Sequence, residues 1–371
     1  MESKDEKNKK KVGIVTFFEA NNFGVCLQAL ATEKYLCSIG YDAEIINYIN
    51  PYEHRQFKVM YKENNRFVGY FISLAKNILL GKYYYYRKGF GNVKESFNLS
   101  AGSYNTIEGM KDLDYYALVA GSDQIWNGEI TGKLDPVYLL QFGKAKKRVS
   151  IASSLGSKKP SQEEQGMFKE AFANFTAISV REKFAKVCLE SCTSKDIKVL
   201  MDPTFLFCRE EWMEMLAKKS KYYNLKERYI LTYFIAKNKS SYKKRVKEYS
   251  EKLGLPVWSI QFSNYHWEET SRRIMGITIE DFIAIMGNAS LVLTDSFHGT
   301  AFSVNLQKNF VPFRHSGNPV RVIDLLQKIG IEQRLDMEAK DYCEVDYSSV
   351  NPELERLRMD SKLWIENALV E

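Results

Sequence analysis

Ala289-Ser-Leu-Val-Leu-Thr-Asp-Ser-Phe-His-Gly-Thr-Ala-Phe-Ser303 decides how this chain is read. Ala289 to Leu293 is short, apolar and partly β-branched, the pattern of a buried strand, and it stops at Thr294-Asp295. Gly299 to Leu306 can then wind into a helix, so His298 and Gly299 fall where that helix begins. The first amide N–H groups of a helix lack partners within it, which makes its start a place for phosphate or carboxylate. His298 is one of four histidines, and an imidazole with an ordinary pKa of about 6.5 exchanges protons at neutral pH. A hydrogen-bonded structural histidine at a strand end is the competing reading.

The same alternation extends to both sides. Upstream lie a strand Tyr229 to Ile235, a helix Tyr242 to Leu253, a strand Val257 to Gln261 and a helix Ile279 to Gly287; downstream lies a strand Phe310 to Phe313. In the first half, strand Val12 to Phe17, helix Gly24 to Ser38 and strand Ala43 to Tyr48 form a βαβ unit. Three further strands end in polar loops: Tyr116 to Ala120 at Gly121-Ser-Asp-Gln-Ile-Trp-Asn127, Arg148 to Ala152 at Ser153-Ser-Leu-Gly156, and Ala177 to Val180 at Arg181. Lys198 to Met201 leads into Asp202-Pro203. In an open parallel sheet such loops gather at the carboxyl edge, where ligands bind. The expected fold is therefore α/β, with two Rossmann-like domains facing across a cleft, an arrangement shared by many sugar-modifying transferases. Residues 1–11 read as a disordered basic arm, 12–208 as the first domain, 226–349 as the second, and 350–371 as a C-terminal helix of a kind that often crosses back. The loop Glu19-Ala-Asn-Asn-Phe-Gly24 has no second or third glycine, which excludes a dinucleotide fingerprint and a P-loop.

At 371 residues the chain suits two α/β halves. Its net charge of +7 is modest and comes largely from Lys4, Lys7, Lys9, Lys10 and Lys11. Lys144, Lys146, Lys147 and Arg148 read as a solvated loop before a strand, with an anionic membrane surface as the alternative. No basic stripe interleaved with aromatics points to nucleic acid. The six cysteines form neither a CxxC pair nor a Cys/His cluster, so reduced thiols of a cytoplasmic protein are expected and a zinc site is not. No uncharged apolar run reaches the roughly 18 residues of a membrane span. Phe67 to Leu80 comes nearest, and four tyrosines (Tyr83 to Tyr86), Arg87 and Lys88 follow it. That stretch reads as a helix packed in the first domain, or as an interfacial segment at the inner face of a membrane, near a lipid-linked acceptor.

Four motifs carry a resemblance: Asn22-Phe-Gly-Val-Cys-Leu-Gln28, Gly121-Ser-Asp-Gln-Ile-Trp126, Ser179-Val-Arg-Glu182 and Thr294-Asp-Ser-Phe-His-Gly299. Together and in this order they resemble the polysaccharide pyruvyl transferase family, whose members have a glycosyltransferase-B-like fold. The resemblance implies transfer of the enolpyruvyl unit of phosphoenolpyruvate onto two hydroxyls of one sugar in a cell-surface polysaccharide or its lipid-linked precursor. Phosphate is released, a pyruvate ketal remains, and no metal or other cofactor is implied. It also implies a site arginine at Arg181 and a site histidine at His298. Many members have an arginine two residues before that histidine; here Ser296 stands there, and Arg314 or Arg321 could supply the missing cation.

The chemistry fits those residue types. A guanidinium matches carboxylate or phosphate with a fixed fork of donors, so Arg181 would hold the donor unless it is tied to Glu182 or Asp202. His298 could protonate the methylene carbon or the departing phosphate, while Ser296, Gly299 and Thr300 at the helix start hold the phosphate. Asp123 and Asp295, both at strand ends, are candidate bases for the sugar hydroxyl, and Asp295 could instead cap the following helix. Asn22, Gly24, Gln124 and Trp126 are candidates for the acceptor side, with Trp126 stacking on a pyranose or else packed in the core. A nucleotide-sugar glycosyltransferase of the same form, or a non-catalytic glycan-binding assembly protein, are the alternative functions.

Overall fold

The computed structural model of the chain describes residues 9–52, 79, 81–235, 242–262, 270–314 and 320–370. They fall into two compact units. The first gathers the described parts of 1–57, 94–206 and 355–371, and the second those of 58–93 and 207–354.

The first unit is built on a parallel five-stranded sheet of order β3-β2-β1-β4-β5. Its strands are β1 (Lys11–Val15), β2 (Asp42–Tyr48), β3 (Leu99–Tyr104), β4 (Asp114–Ala120) and β5 (Lys144–Ser150). In β1 and β4 the apolar residues are buried on both faces, as a parallel sheet covered by helices requires. A short pair, β6 (Ile178–Val180) and β7 (Ile197–Val199), continues the sheet through single bridges from Val149 to Ala177 and from Ser153 to Val180. Asn22 caps α1 (Phe23–Ser38), its side chain accepting from the Gly24 amide at 3.0 Å. Ser161 and Glu164 form a reciprocal capping box at the start of α3 (Gln162–Ala173), which buries Phe168 and Phe172. The helix α4 (Lys183–Leu189) follows β6.

The second unit repeats the plan, with a parallel sheet of order β10-β9-β8-β11-β12. Its strands are β8 (Ile230–Tyr233), β9 (Val257–Ile260), β10 (Arg272–Ile274), β11 (Leu291–Thr294) and β12 (Phe310–Pro312). The helices are α2 (Lys82–Phe90), α5 (Arg209–Met215), α6 (Tyr242–Leu253), α7 (Ile279–Asn288), α8 (Phe297–Asn305) and α9 (Val320–Lys328). Both sheets reverse strand order beside their first strand, between β1 and β4 and between β8 and β11, where doubly wound folds bind ligands.

Several expectations need correction. The first domain does not run unbroken from 12 to 208: α2 belongs to the second unit, where Gly89 packs so close under the Ile277 carbonyl that a Cβ would lie 2.5 Å from the oxygen. Lys144 to Arg148 form strand β5 rather than a loop, because the Arg148 guanidinium turns back to the carbonyls of Leu140, Phe142, Gly143 and Ala145. In the sequence between the two units' sheets, α5 ends at Met215 and a single tight turn, Ala217–Lys219, follows. The final helix, α10 (Tyr347–Leu369), starts three residues before 350 and accommodates Pro352 inside it at the loss of one backbone hydrogen bond. Its residues from Glu355 onward group with the first unit. Residues 1–8, and Phe67 to Leu80 apart from Leu79, lie outside the described residues. Among the described residues no helix is long and apolar enough to cross a membrane.

One lysine ties the end of a helix in the second unit. Lys308 Nζ donates to the Gly287 carbonyl in the last turn of α7 at 2.9 Å, and burial, aided by the nearby Arg209, pulls its pKa down to about 8. Between that pH and the ordinary lysine pKa of about 10.4, the unfolded chain binds more protons at this position than the folded chain, so this group makes stability rise with pH. Urea midpoints from pH 8 to 10 should rise more for the wild type than for Lys308→Met; parallel curves would remove Lys308 as the cause.

Candidate functional site

In the first unit the strand ends converge on one guanidinium. Arg181 directly follows β6 and is 3% exposed. Its Nη1 lies 2.7 Å from Asp202 Oδ2, its Nη2 3.6 Å from Asp123 Oδ1, and its Nε 3.7 Å from Glu182 Oε2. The carboxylates are themselves held. Glu182 Oε1 accepts from Ser154 Oγ and the Leu155 amide, and Asp202 Oδ1 accepts from the Thr204 amide and hydroxyl. Asp123 Oδ1 accepts from the Gln124 amide at 2.8 Å. Burial alone would lower the Arg181 pKa, but the three carboxylates, Asp202 foremost, outweigh it and hold the group above its ordinary value. Asp123 has φ 68° and Ala152, at the end of β5, φ 52°. Both turns therefore use the left-handed region, which Asp tolerates better than Ala.

This arrangement bears on the role expected of Arg181. The guanidinium faces three carboxylates of its own unit, with Asp202 at 2.7 Å. The salt-bridge reading with Glu182 and Asp202 is the one observed, and Asp123 joins it. These residues set the shape of the carboxyl edge from within.

In the second unit, the end of β11 and the head of α8 bring Asp295, Ser296, His298, Gly299 and Thr300 together. The helix begins at Phe297, two residues earlier than expected, and Ser296 is its cap, with Oγ accepting from the Gly299 amide at 3.2 Å. Asp295 does not cap it. Its Oδ1 accepts from the Ile235 amide at 2.6 Å, and the buried Tyr242 hydroxyl bonds to the same carboxylate. Thr294 Oγ1 donates to the Tyr233 carbonyl at 2.6 Å, so β8 and β11 are tied where the strand order reverses. Gly299 is required by packing: a Cβ there would lie 2.2 Å from Thr294 Oγ1 and 3.0 Å from the Tyr233 ring. His298, 5% exposed, packs edge-on to Phe297 with ring centroids 5.1 Å apart. Of the two candidate replacement cations, Arg314 pairs with Asp336 at 3.3 Å, whereas the Arg321 guanidinium lies 5.5 Å from the centre of the Phe297 ring, the residue before His298.

The four acceptor candidates separate. Asn22 and Gln124 keep part of their surface, with Gln124 Oε1 accepting from Asn127 Nδ2, and Gly24 is buried in the first turn of α1. Trp126 is a correction. It is 2% exposed, packed against Phe168 and Phe172, with its indole N–H donating to the Tyr138 carbonyl, so no pyranose can stack on it. The sequence reading missed Ser122, Ser154, Thr204 and Tyr242, which hold the carboxylates. A hydroxyl two residues beyond β4 was the available signal for Ser122, whereas Ser154 and Thr204 lie four and five residues beyond β5 and β7. Among the described residues no group of three or more His, Cys, Asp or Glu is placed to hold a metal ion.

A family model described as polysaccharide pyruvyl transferase matches residues 22–317. No curated protein sequence matches the chain. Among solved structures, the UDP-GlcNAc 2-epimerase from Neisseria meningitidis bound to UDP-GlcNAc is 12% identical with a TM-score of 0.48, over 98% of this chain and 99% of that one. The UDP-N-acetylglucosamine 2-epimerase from Rickettsia bellii is 10% identical with a TM-score of 0.46, over 97% and 96%. The heptosyltransferase WaaC from E. coli with ADP is 10% identical with a TM-score of 0.39, over 94% and 99%.

The carboxylate cluster makes a stability prediction. Arg181→Met would leave three buried carboxylates without their cation, at a cost of about 3–5 kcal/mol. Their pKa values would then rise above those of the unfolded chain, so the folded state would bind more protons and stability would fall as pH rises above about 4. Denaturant titrations of the variant between pH 4 and 7 should show that decline, and a flat profile would disprove the charge account.

Proposed function

The chain belongs to the polysaccharide pyruvyl transferase family, and from that membership we propose that it transfers pyruvate from phosphoenolpyruvate to two hydroxyls of one sugar, forming a ketal and releasing phosphate. The observation that carries this reading is the head of α8 at the carboxyl edge of the second sheet, where His298 lies in the capped first turn and Arg321 reaches the ring of the adjacent Phe297.

In this reaction the methylene carbon gains one proton. The neighbouring carbon forms two bonds to sugar oxygens and loses two, its π bond to the methylene carbon, whose electrons take that proton, and its bond to the phosphate oxygen. Of the two hydroxyl protons released, one balances the proton delivered to carbon and the other leaves on phosphate. His298 is the acid we assign to the methylene carbon or the phosphate oxygen, since an imidazole can give and recover a proton at neutral pH. The positive end of the α8 dipole favours the phosphate as its charge grows. Arg321 supplies the cation that Ser296 cannot, and Ser296 acts through its cap. Asp295, which already holds the Ile235 amide and the Tyr242 hydroxyl, is assigned to position this edge rather than to take the sugar proton.

Calorimetric titration with phosphoenolpyruvate, and separately with a panel of nucleotide sugars, tests the proposal. Phosphoenolpyruvate should bind, and Arg321→Met and His298→Ala should each weaken it by about tenfold. Binding of a nucleotide sugar with no response to phosphoenolpyruvate would overturn pyruvyl transfer in favour of glycosyl transfer.

A further inference from the structure

The carboxyl edge of the second sheet holds a polar group that its surroundings leave incomplete. Gln261 directly follows β9 and is 4% exposed. Its backbone amide donates to the Ile274 carbonyl at 2.9 Å and its Nε2 lies 3.3 Å from Ser259 Oγ, but its Oε1 is buried with no hydrogen-bond partner among the described residues. Exchanging the oxygen and nitrogen of the amide does not cure this. The serine hydroxyl could then serve the oxygen, and the nitrogen would be left in the vacant place. Buried polar groups in folded proteins are nearly always paired, because an unmade bond carries the full cost of desolvation.

Strand register locates the vacancy. Ser259 pairs with Thr232, and Thr232 pairs with Leu293. Gln261, two residues beyond Ser259, therefore stands level with Asp295, two residues beyond Leu293 and two strands away. Two strand spacings come to about 10 Å. One edge of one sheet thus presents the head of α8 at one point and an incomplete amide about 10 Å along.

We infer that Gln261 is a substrate-binding residue whose side-chain oxygen accepts a hydrogen bond from an O–H or N–H of the carbohydrate substrate. Ionised phosphoenolpyruvate has no proton to give Oε1. A sugar hydroxyl donates as well as accepts, so it completes the amide whichever way round the amide lies. The second unit would then contact the acceptor as well as the donor. The inference rests on the pyruvyl-transfer reading only in calling the ligand a carbohydrate.

Calorimetry on the full chain tests it, using methyl β-D-galactopyranoside, UDP-GlcNAc, UDP and phosphoenolpyruvate against wild type, Gln261→Leu and, should that variant fold poorly, Gln261→Met. The apolar substitution should weaken the glycoside or UDP-GlcNAc at least about tenfold and leave phosphoenolpyruvate within about twofold. It should also leave the melting temperature unchanged or raised, since it removes a buried group that lacks its bond. Loss with the glycoside assigns the donor to a sugar hydroxyl, and an equal loss with UDP alone assigns it to the base. The inference is overturned if neither carbohydrate probe binds the wild type, if the variants bind every probe as the wild type does, or if the melting temperature and phosphoenolpyruvate affinity fall together. Failure of phosphoenolpyruvate to bind the wild type, with the carbohydrate arm as expected, would remove pyruvyl transfer and leave the subsite standing.

Discussion

A guanidinium cannot shed its proton inside a protein, and at Arg181 that chemistry organises the first unit. Asp202, Asp123 and Glu182 are buried around this permanent cation. Each of these residues lies just beyond the end of a strand: Asp123 after β4, Arg181 and Glu182 after β6, and Asp202 after β7. β5 joins through Ser154, which donates to Glu182. Parallel strands have no hairpins to link their ends, so the charge cluster holds in place turns that the left-handed residues Asp123 and Ala152 would otherwise strain.

The second unit has the same strand order but secures its edge without a cation. Thr294 and Asp295 reach from β11 to the end of β8, and Ser296 closes the first turn of α8. In the first unit, Thr16 Oγ1 donates to the Ser122 carbonyl at 2.9 Å across the corresponding pair of strands. One unit thus secures its carboxyl edge with a cation among acids, and the other with a helix start and hydroxyl groups.

The alternation of apolar runs and amphipathic stretches was legible in the sequence, and the helix Tyr242–Leu253 matches the expected bounds at both ends. Strand β3 escaped because Leu99–Tyr104 has little apolar character and pairs at the edge of its sheet. The head of α8 was misplaced by two residues because Gly299 looked like a boundary, whereas its absent Cβ serves close packing against Thr294. Trp126 shows the limit of local reading. A tryptophan on a polar, glycine-containing loop is exposed or buried according to what packs against it, here Phe168 and Phe172 from a distant helix. Charge compensation was equally hidden, since the acids around Arg181 meet only once the strands are aligned.

The terminal part of α10 bears on how the chain is made. Glu366 accepts from the Tyr35 hydroxyl, and the Leu369 carbonyl accepts from Tyr41 and Tyr116. All three tyrosines are translated long before that part of the helix, with residues 207–354 of the second unit synthesised in between. Domains generally fold as units in the order they emerge from the ribosome. Here the first unit emerges without its closing helix and must keep that face uncovered until translation has passed through the second, an interval in which a chaperone has reason to bind.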